Sequence, residues 1–320
     1  MGEVDALDVG VLRALFQGQG LAPVNARART CVRAVAAQLG VSEGTVRNRI
    51  LRLHESGFIK EVRLIPNPSL MGLGEANVLV DVPREKLRDE FVEELRLLGD
   101  VVILAVFHGP LVSVIFRYRG EPELVRRIAL IRRLAKVDAV TVGRIPFPPC
   151  NLPLSSSDWG LLRAFHRDPG RTYASVGREV HASSRTVKRK LERMLRENAA
   201  FVFPAFDIGK IPRGTVGTLI VEYPLEIKAD VDRRVTARLG ESFFTILHML
   251  PFRNSDPALC GYNFVVPNVP KGQAMLHELQ AIRGIQAARV EWFERVEMNF
   301  EPFAEDLQRG QATMSLSVSG

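Results

Sequence analysis

Cysteine is scarce in this sequence: Cys31, Cys150 and Cys260 are the whole complement of 320 residues, and they lie far apart. An odd, scattered set supplies neither a disulfide framework nor the paired spacing of a zinc site, and it fits a reducing compartment. Long apolar runs are missing too. The longest, such as "VVILAVF", fall well short of the ~20 residues that cross a bilayer, so no membrane partner is expected. The amino terminus, "MGEVDALDVG", lacks the basic and apolar segments of a signal peptide, and a cytoplasmic location is expected. A P-loop, a Ser-His-Asp order and a metal-spaced cluster are also lacking. The expectation is therefore no enzyme, no cofactor and no metal.

What remains is apolar enough to fold. With 46% hydrophobic and 25% charged residues, the chain can form two or more domains with real cores. A net charge of +7 suits a polyanionic partner without establishing one, so the placement of the charge matters more.

One phrase occurs twice. "SEGTVRNRILRLH" begins at Ser42 and "SSRTVKRKLERML" at Ser183, each reading Ser-x-x-Thr-Val-basic-x-basic ahead of aliphatic residues at helical spacing. Two short amphipathic segments precede each copy, "VLRALF" and "VRAVAAQLG" in the first, "LLRAFH" and "YASVGREVH" in the second. The first unit has a Gly/Ala/Pro loop, "QGQGLAPVNARA", where the second has Asp168 to Gly170. Three short helices with a tight turn before the third describe a helix-turn-helix, and Ser42 and Ser183 stand where N-caps belong. "GFIKEVRLIPNP" and "AAFVFPAFDI" then supply the extended residues of a wing for each unit.

The plan after each wing is also shared. The first copy predicts a strand, a helix over Arg84 to Leu98, two strands, a helix over Glu121 to Leu134 and a strand. The second predicts the same order, with helices over Leu225 to Leu239 and Lys271 to Arg283. The expected fold class is α+β: two winged helix-turn-helix domains (1–70 and 149–212) alternating with two ferredoxin-like β-α-β-β-α-β domains (71–148 and 213–303). A flexible tail is expected over 304–320.

A winged helix with "IPNPSLMGLG" leading into β-α-β-β-α-β resembles the Lrp/AsnC transcription regulators. The likeness covers nearly the whole chain, twice over. "VSEGTVRNRILRLHESGFI" and "ASSRTVKRKLERMLRENAAF" look like that family's recognition helix and the start of its wing. The resemblance implies a sequence-specific regulator with double-stranded DNA as partner. It also implies pairing through the ferredoxin-like domains, within the chain or between copies, and a small-molecule effector in many members. The family's effector pattern is a Gly soon followed by an Asp between the second and third strands. Gly109 matches it, but no Asp follows, and the effector-binding residues stay unassigned.

On a helical wheel, Val46, Ile50 and Leu53 share one face, as do Val187, Leu191 and Met194. The opposite faces carry the candidate DNA contacts. In the first unit these are Ser42, Gly44, Thr45, Arg47, Asn48 and Arg52; in the second, Ser183, Ser184, Arg185, Thr186, Lys188, Arg189 and Arg193. Arginine can pair bidentately with guanine and asparagine with adenine, a small Gly44 lets backbone approach, and the hydroxyls suit phosphate. For an isolated helix the plainer reading is a solvated basic face; in a repeated winged helix the DNA reading is preferred. The second helix carries more cations, so it should bind the more tightly.

Two rivals remain. Sirohaem decarboxylases resemble Lrp/AsnC proteins in fold, sometimes as fused halves, and use basic and aromatic residues around an anionic tetrapyrrole. His248, Arg253 and Tyr262 are the residues here that could converge for that chemistry, while His108 reads as a strand-end histidine. RNA binding is disfavoured because "VVILAVF" and "LVSVIFRY" read as interior aliphatic strands without exposed aromatics.

Overall fold

The computed structural model describes residues 4–16, 29–168 and 170–318; the Gly/Ala/Pro loop over 17–28 and Pro169 lie outside them. The order begins α1 (Ala6–Phe16), α2 (Arg29–Leu39), α3 (Glu43–Glu55) and β1 (Ile59–Pro66). There follow β2 (Gly74–Asp81), α4 (Glu85–Arg96), β3 (Val101–Phe107), β4 (Leu111–Tyr118), α5 (Gly120–Ala135) and β5 (Thr141–Ile145). The second half runs α6 (Ser156–Arg167), α7 (Tyr173–Glu179), α8 (Ser184–Arg196) and β6 (Ala200–Phe206). It continues with β7 (Thr215–Tyr223), α9 (Lys228–Leu239), β8 (Phe243–Pro251), β9 (Ala258–Val266), α10 (Val269–Gln280), β10 (Ala287–Met298) and α11 (Glu301–Val318).

The helices form where apolar residues recur at helical spacing behind a cap. Ser155 opens α6 with a capping box, its hydroxyl and the Asp158 carboxylate each serving the other's backbone N–H. The turn from α7 into α8 is tight enough to require glycine. The Ala182 N–H donates to the Gly177 carbonyl at 2.8 Å, and a Cβ on Gly177 would lie 2.3 Å from the Ala182 carbonyl oxygen. Both three-helix units bury their apolar faces in one continuous cluster that includes Leu12, Leu53, Phe58, Phe165, Leu191 and Met194.

The expected wings take a different form. Among the described residues neither unit has a hairpin of its own: β1 and β6 pair antiparallel with each other, from Ile59 opposite Phe206 to Pro66 opposite Ala200. Each wing segment contributes a single strand, whose unpaired edge must find a partner, and the other wing supplies it.

The remaining eight strands close into one antiparallel barrel in the order β10-β3-β4-β2-β5-β8-β9-β7. β10 makes one seam, pairing with β7 through Ala287–Trp292 and with β3 through Phe293–Met298. The other seam is short, with Gly143 and Arg144 of β5 opposite Pro251 and Leu250 of β8. Gly143 fits there because a Cβ would stand 2.6 Å from the Met249 Cβ. Strand residues alternate between the helices outside and the barrel interior: Ala76, Val78 and Val80 of β2 pack under α4 and α5, while Asn77 and Leu79 face inward.

A flexible tail was expected over 304–320; residues 319–320 lie outside the described residues, and the structure packs the first turns of the rest. Through Val318 the segment belongs to α11, which lies along α6 with Gly310 against the Trp159 ring. Phe303 and Leu307 are buried, and Asp306 is bonded to Arg117 of β4.

Arg117 is 4% exposed and carries three contacts: Asp306, Glu75 at 3.8 Å and the Phe303 ring at 4.6 Å from its guanidinium carbon. Burial pushes the Glu75 carboxyl up to about 7, against the pull of Arg117 and with the help of Asp306. Burial likewise raises Asp306 above the ordinary aspartate range, with Arg117 opposing.

Candidate nucleic-acid interface

The third helices place their predicted faces as the wheel requires. Val46, Leu53, Val187, Leu191 and Met194 are fully buried, and Ile50 nearly so. Opposite them Gly44, Arg47 and Asn48 are exposed on α3, and Ser184, Arg185, Lys188 and Arg189 on α8. Ser42 Oγ accepts from the Thr45 N–H at 3.0 Å and lies 2.8 Å from Thr45 Oγ1. Ser183 repeats this with Thr186, at 3.1 and 2.9 Å. The capping serines and their threonine partners therefore keep spare hydroxyl capacity at the helix tips, where phosphate oxygens are favoured by the exposed N–H groups.

Two predicted contacts stand elsewhere. Arg52 is bonded to Asp8 of α1, which is fully buried, and Arg49 reaches the same carboxylate at 3.0 Å and Asp5 at 2.8 Å. In the second unit Asp158 of α6 receives Lys190 at 2.9 Å and Arg193 at 3.4 Å. Burial acts against the Asp158 carboxylate, but hydrogen bonds from Ser155 and Lys190 outweigh it and hold the carboxyl below its ordinary value. Arg52 and Arg193 thus tie the third helix to the first, because a buried carboxylate must be paired. The sequence did carry the signal, since "DVGVLRAL" from Asp8 and "DWGLLRAF" from Asp158 repeat the same acid in the first turn of each unit's first helix.

With those pairs removed from the tally, the two faces still differ. α3 exposes Arg47 and Asn48 beside Leu51, which is 49% exposed, together with Glu43 and Glu55. α8 exposes Arg185, Lys188, Arg189 and Arg196. Lys188 lies 3.8 Å from Glu192 and Arg196 3.4 Å from Glu197, exposed pairs of the kind that contribute ~0–1 kcal/mol and exchange readily for phosphate. Among the described residues, Arg47, Asn48, Arg185 and Arg189 have no side-chain hydrogen bond or ion pair.

Of the residues considered for tetrapyrrole chemistry, two share one hydrogen-bonded cluster and Arg253 makes its contacts in another. His248 and Tyr262 meet beside α9: Tyr262 donates to Asp232 at 3.0 Å, the Lys228 ammonium donates to His248 Nδ1 at 3.0 Å, and Cys260 Sγ is 3.4 Å from the same nitrogen. Tyr223 adds a bond to Asp232 at 3.2 Å. Burial, with Lys228 beside it, lowers the His248 pKa, and burial pushes the Cys260 thiol up to about 12. Asp232, His248 and Cys260 bring donor atoms within 4.8 Å, with the Lys228 ammonium as the cation among them. Arg253 is apart, in the β8–β9 turn, where Asp256 accepts its backbone N–H at 3.0 Å. His108 is exposed after β3. Behind the neighbouring Gly109, Arg88 donates to the carbonyls of Phe107 and Gly109 at 3.1 and 2.6 Å and pairs with Glu294 at 3.2 Å.

Comparison with known proteins bears directly on the first of these helices, α3. Residues 24–60 match the winged helix-turn-helix DNA-binding family. LrpA of Pyrococcus horikoshii, an HTH-type transcriptional regulator, is 38% identical over 124 residues, which cover 36% of this chain and 80% of that protein. The chain belongs to the Lrp/AsnC family of transcription regulators. A second relative, the HTH-type transcriptional regulator Ptr1 of Methanocaldococcus jannaschii, is 33% identical over 101 residues; the match covers 32% of this chain and 62% of the relative. Across the whole chain the fold is similar to the crystal structure of the sirohaem decarboxylase NirDL, with a TM-score of 0.56 and 13% identity over 96% of this chain and 99% of that one. At that identity the likeness concerns the fold alone. Among the described residues no helix is long and apolar enough to cross a membrane.

Proposed function

We propose that this Lrp/AsnC-family chain is a sequence-specific DNA-binding transcription regulator whose two halves act as a fused pseudo-dimer on two unlike half-sites. The observation that carries the reading is the pair of exposed third-helix faces, Arg47 with Asn48 on α3 and Arg185 with Arg189 on α8, whose side chains have no polar partner among the described residues. Each face is held by a buried Asp clamp and an N-capping serine, which fix the helix while leaving its tip open for a groove. The chain is read as two winged-helix segments, 1–70 and 149–212, alternating with ferredoxin-like segments 71–148 and 213–303. The repeated element order supports that division, and strand exchange through β1–β6 and the barrel seams supports pairing inside one chain.

The second reading is a sirohaem decarboxylase, favoured by the whole-chain likeness in fold. It is ranked lower because His248 and Tyr262 are satisfied by Lys228, Asp232 and Cys260, and Arg253 is not with them. Sirohaem carries many carboxylates and would need a cationic cleft. Fluorescence anisotropy with labelled genomic duplexes at stepped salt, beside an absorbance titration with sirohaem, separates the two. Saturable duplex binding that weakens steeply with salt is expected. Saturable sirohaem binding without duplex binding would replace the regulator by the enzyme.

A further inference from the structure

The barrel is hollow. Its interior holds a partly open cavity of about 160 Å³, and among the described residues its lining contains no charged one. Several inward side chains, among them Ile103, Leu247, Phe293 and Met298, are only partly buried although they point into the molecule, as walls of an unfilled space do. Apolar cavities of about 150 Å³ stay dry and take up benzene-sized guests.

The two walls of the cavity are unlike. In the strand register, Asn77 stands opposite Ile115 and Ile115 opposite Ile103. At the corresponding places in the second half, Thr218 stands opposite Asn263 and Asn263 opposite Thr245. One wall is therefore mostly aliphatic, and its Asn77 is already taken, accepting from Ser113 at 2.8 Å. The other presents a row of three neutral hydrogen-bonding groups. Among the described residues, the Asn263 amide and the Thr218 hydroxyl have no hydrogen-bond partner. Burying a carboxylate or ammonium there without a counter-charge would be prohibitively unfavourable, whereas a neutral edge can be matched.

The cavity also touches the helix-turn-helix units. Phe16, at the end of α1, and Phe203 and Phe206, on the β6 strand of the shared ribbon, are part of its lining. Phe16 packs edge-on against both, with ring centroids 6.5 and 5.3 Å apart.

We propose that the barrel interior is a ligand site for a small, uncharged molecule with an aromatic or branched apolar body and one neutral hydrogen-bonding edge. Its occupancy is felt by α1 and the β1–β6 ribbon through Phe16, Phe203 and Phe206. The regulatory meaning of that contact rests on the DNA-binding reading; the site itself does not. Its chemistry differs from that of a free amino acid or a tetrapyrrole, both of which bring charges that this lining cannot pair.

The test uses the full chain with indole as probe and indole-3-carboxylate as its charged counterpart. Indole should bind saturably and raise the unfolding midpoint in a concentration-dependent way, and the carboxylate should bind at least tenfold more weakly. Asn263→Leu should weaken indole about tenfold while toluene binding is kept, and Ala105→Leu, which fills the cavity, should weaken both. Hydrogen exchange should slow at the end of α1 and in β6 when indole is bound. No saturable binding of indole or toluene, or equal binding of indole and its carboxylate, overturns the site. Slowing confined to the barrel strands overturns the coupling. None of these readouts involves DNA, so a failure of the regulator reading would show separately, as absent duplex binding with indole binding intact.

Discussion

Replacing Arg117 by methionine is expected to destabilise the chain by about 3–5 kcal/mol at neutral pH, the cost of removing one partner from a buried ionic network. Arg117 is 4% exposed and is the cation shared by Glu75 and Asp306, so the variant leaves two buried carboxyls facing each other. It also frees α11 from β4, because the Asp306 bond and the Phe303 contact both end on this guanidinium. The sign of the pH dependence follows from the direction of the shifts. Burial already holds both carboxyls above their ordinary values, Glu75 at about 7, and removing the opposing cation pushes both higher. A carboxyl whose folded pKa is raised favours the fold when it is protonated. That contribution is fully present below the unfolded pKa and is lost as pH rises through the folded one. The deficit of the variant should therefore be smaller at pH ~5 than at pH ~8. Urea unfolding at both pH values checks this; a loss below about 1 kcal/mol, or one independent of pH, would show that the network is not what holds α11.

The second large effect belongs to α8. Arg185→Ala and Arg189→Ala should each cost about 1–3 kcal/mol in binding a preferred duplex, and the double variant close to the sum if the two read separate base pairs. Both side chains are exposed and have no polar partner among the described residues, so neither change should disturb the fold. Arg193→Ala is the instructive contrast, because Arg193 is paired with buried Asp158, and its loss should appear in stability before it appears in DNA binding. Equal losses on preferred and random duplex would make Arg185 and Arg189 phosphate contacts, with the salt slope of log K falling by ~0.9 for each.

The helices were legible because they satisfy local rules. The 3.6-residue recurrence of Val187, Leu191 and Met194 and the Ser183 cap lie within one short stretch, and the same holds for Val46, Ile50, Leu53 and Ser42. The exposed faces opposite them followed from that geometry. Pairing between distant segments was not legible. Nothing in "GFIKEVRLIPNP" says that its partner is "AAFVFPAFDI" rather than a second strand of its own, because strand pairing depends on which edges are left free after folding. Barrel closure through β10 and through two residues of β5 has the same origin. The pairing of Arg52 and Arg193 was not legible, because the wheel shows which face a residue occupies but not which buried acid stands behind it. The repeated Asp8 and Asp158 were the available clue. In α11, the anchors Phe303, Asp306 and Leu307 stand among charged residues just ahead of a run of small polar ones, and average composition concealed them.

The central claim is that one chain carries two unlike DNA-reading helices, Gly44 and Asn48 on one against Arg185 and Arg189 on the other. Identical readers related by a two-fold axis select palindromes; unlike readers in a fused pair select asymmetric sites. Selection of bound sequences from a pool of random duplex DNA, using the full chain, tests this most directly. The account predicts two different half-sites, with guanine enriched in the one whose preference is lost in the Arg185→Ala/Arg189→Ala variant. A perfect palindrome, or no enrichment above random duplex, would contradict it.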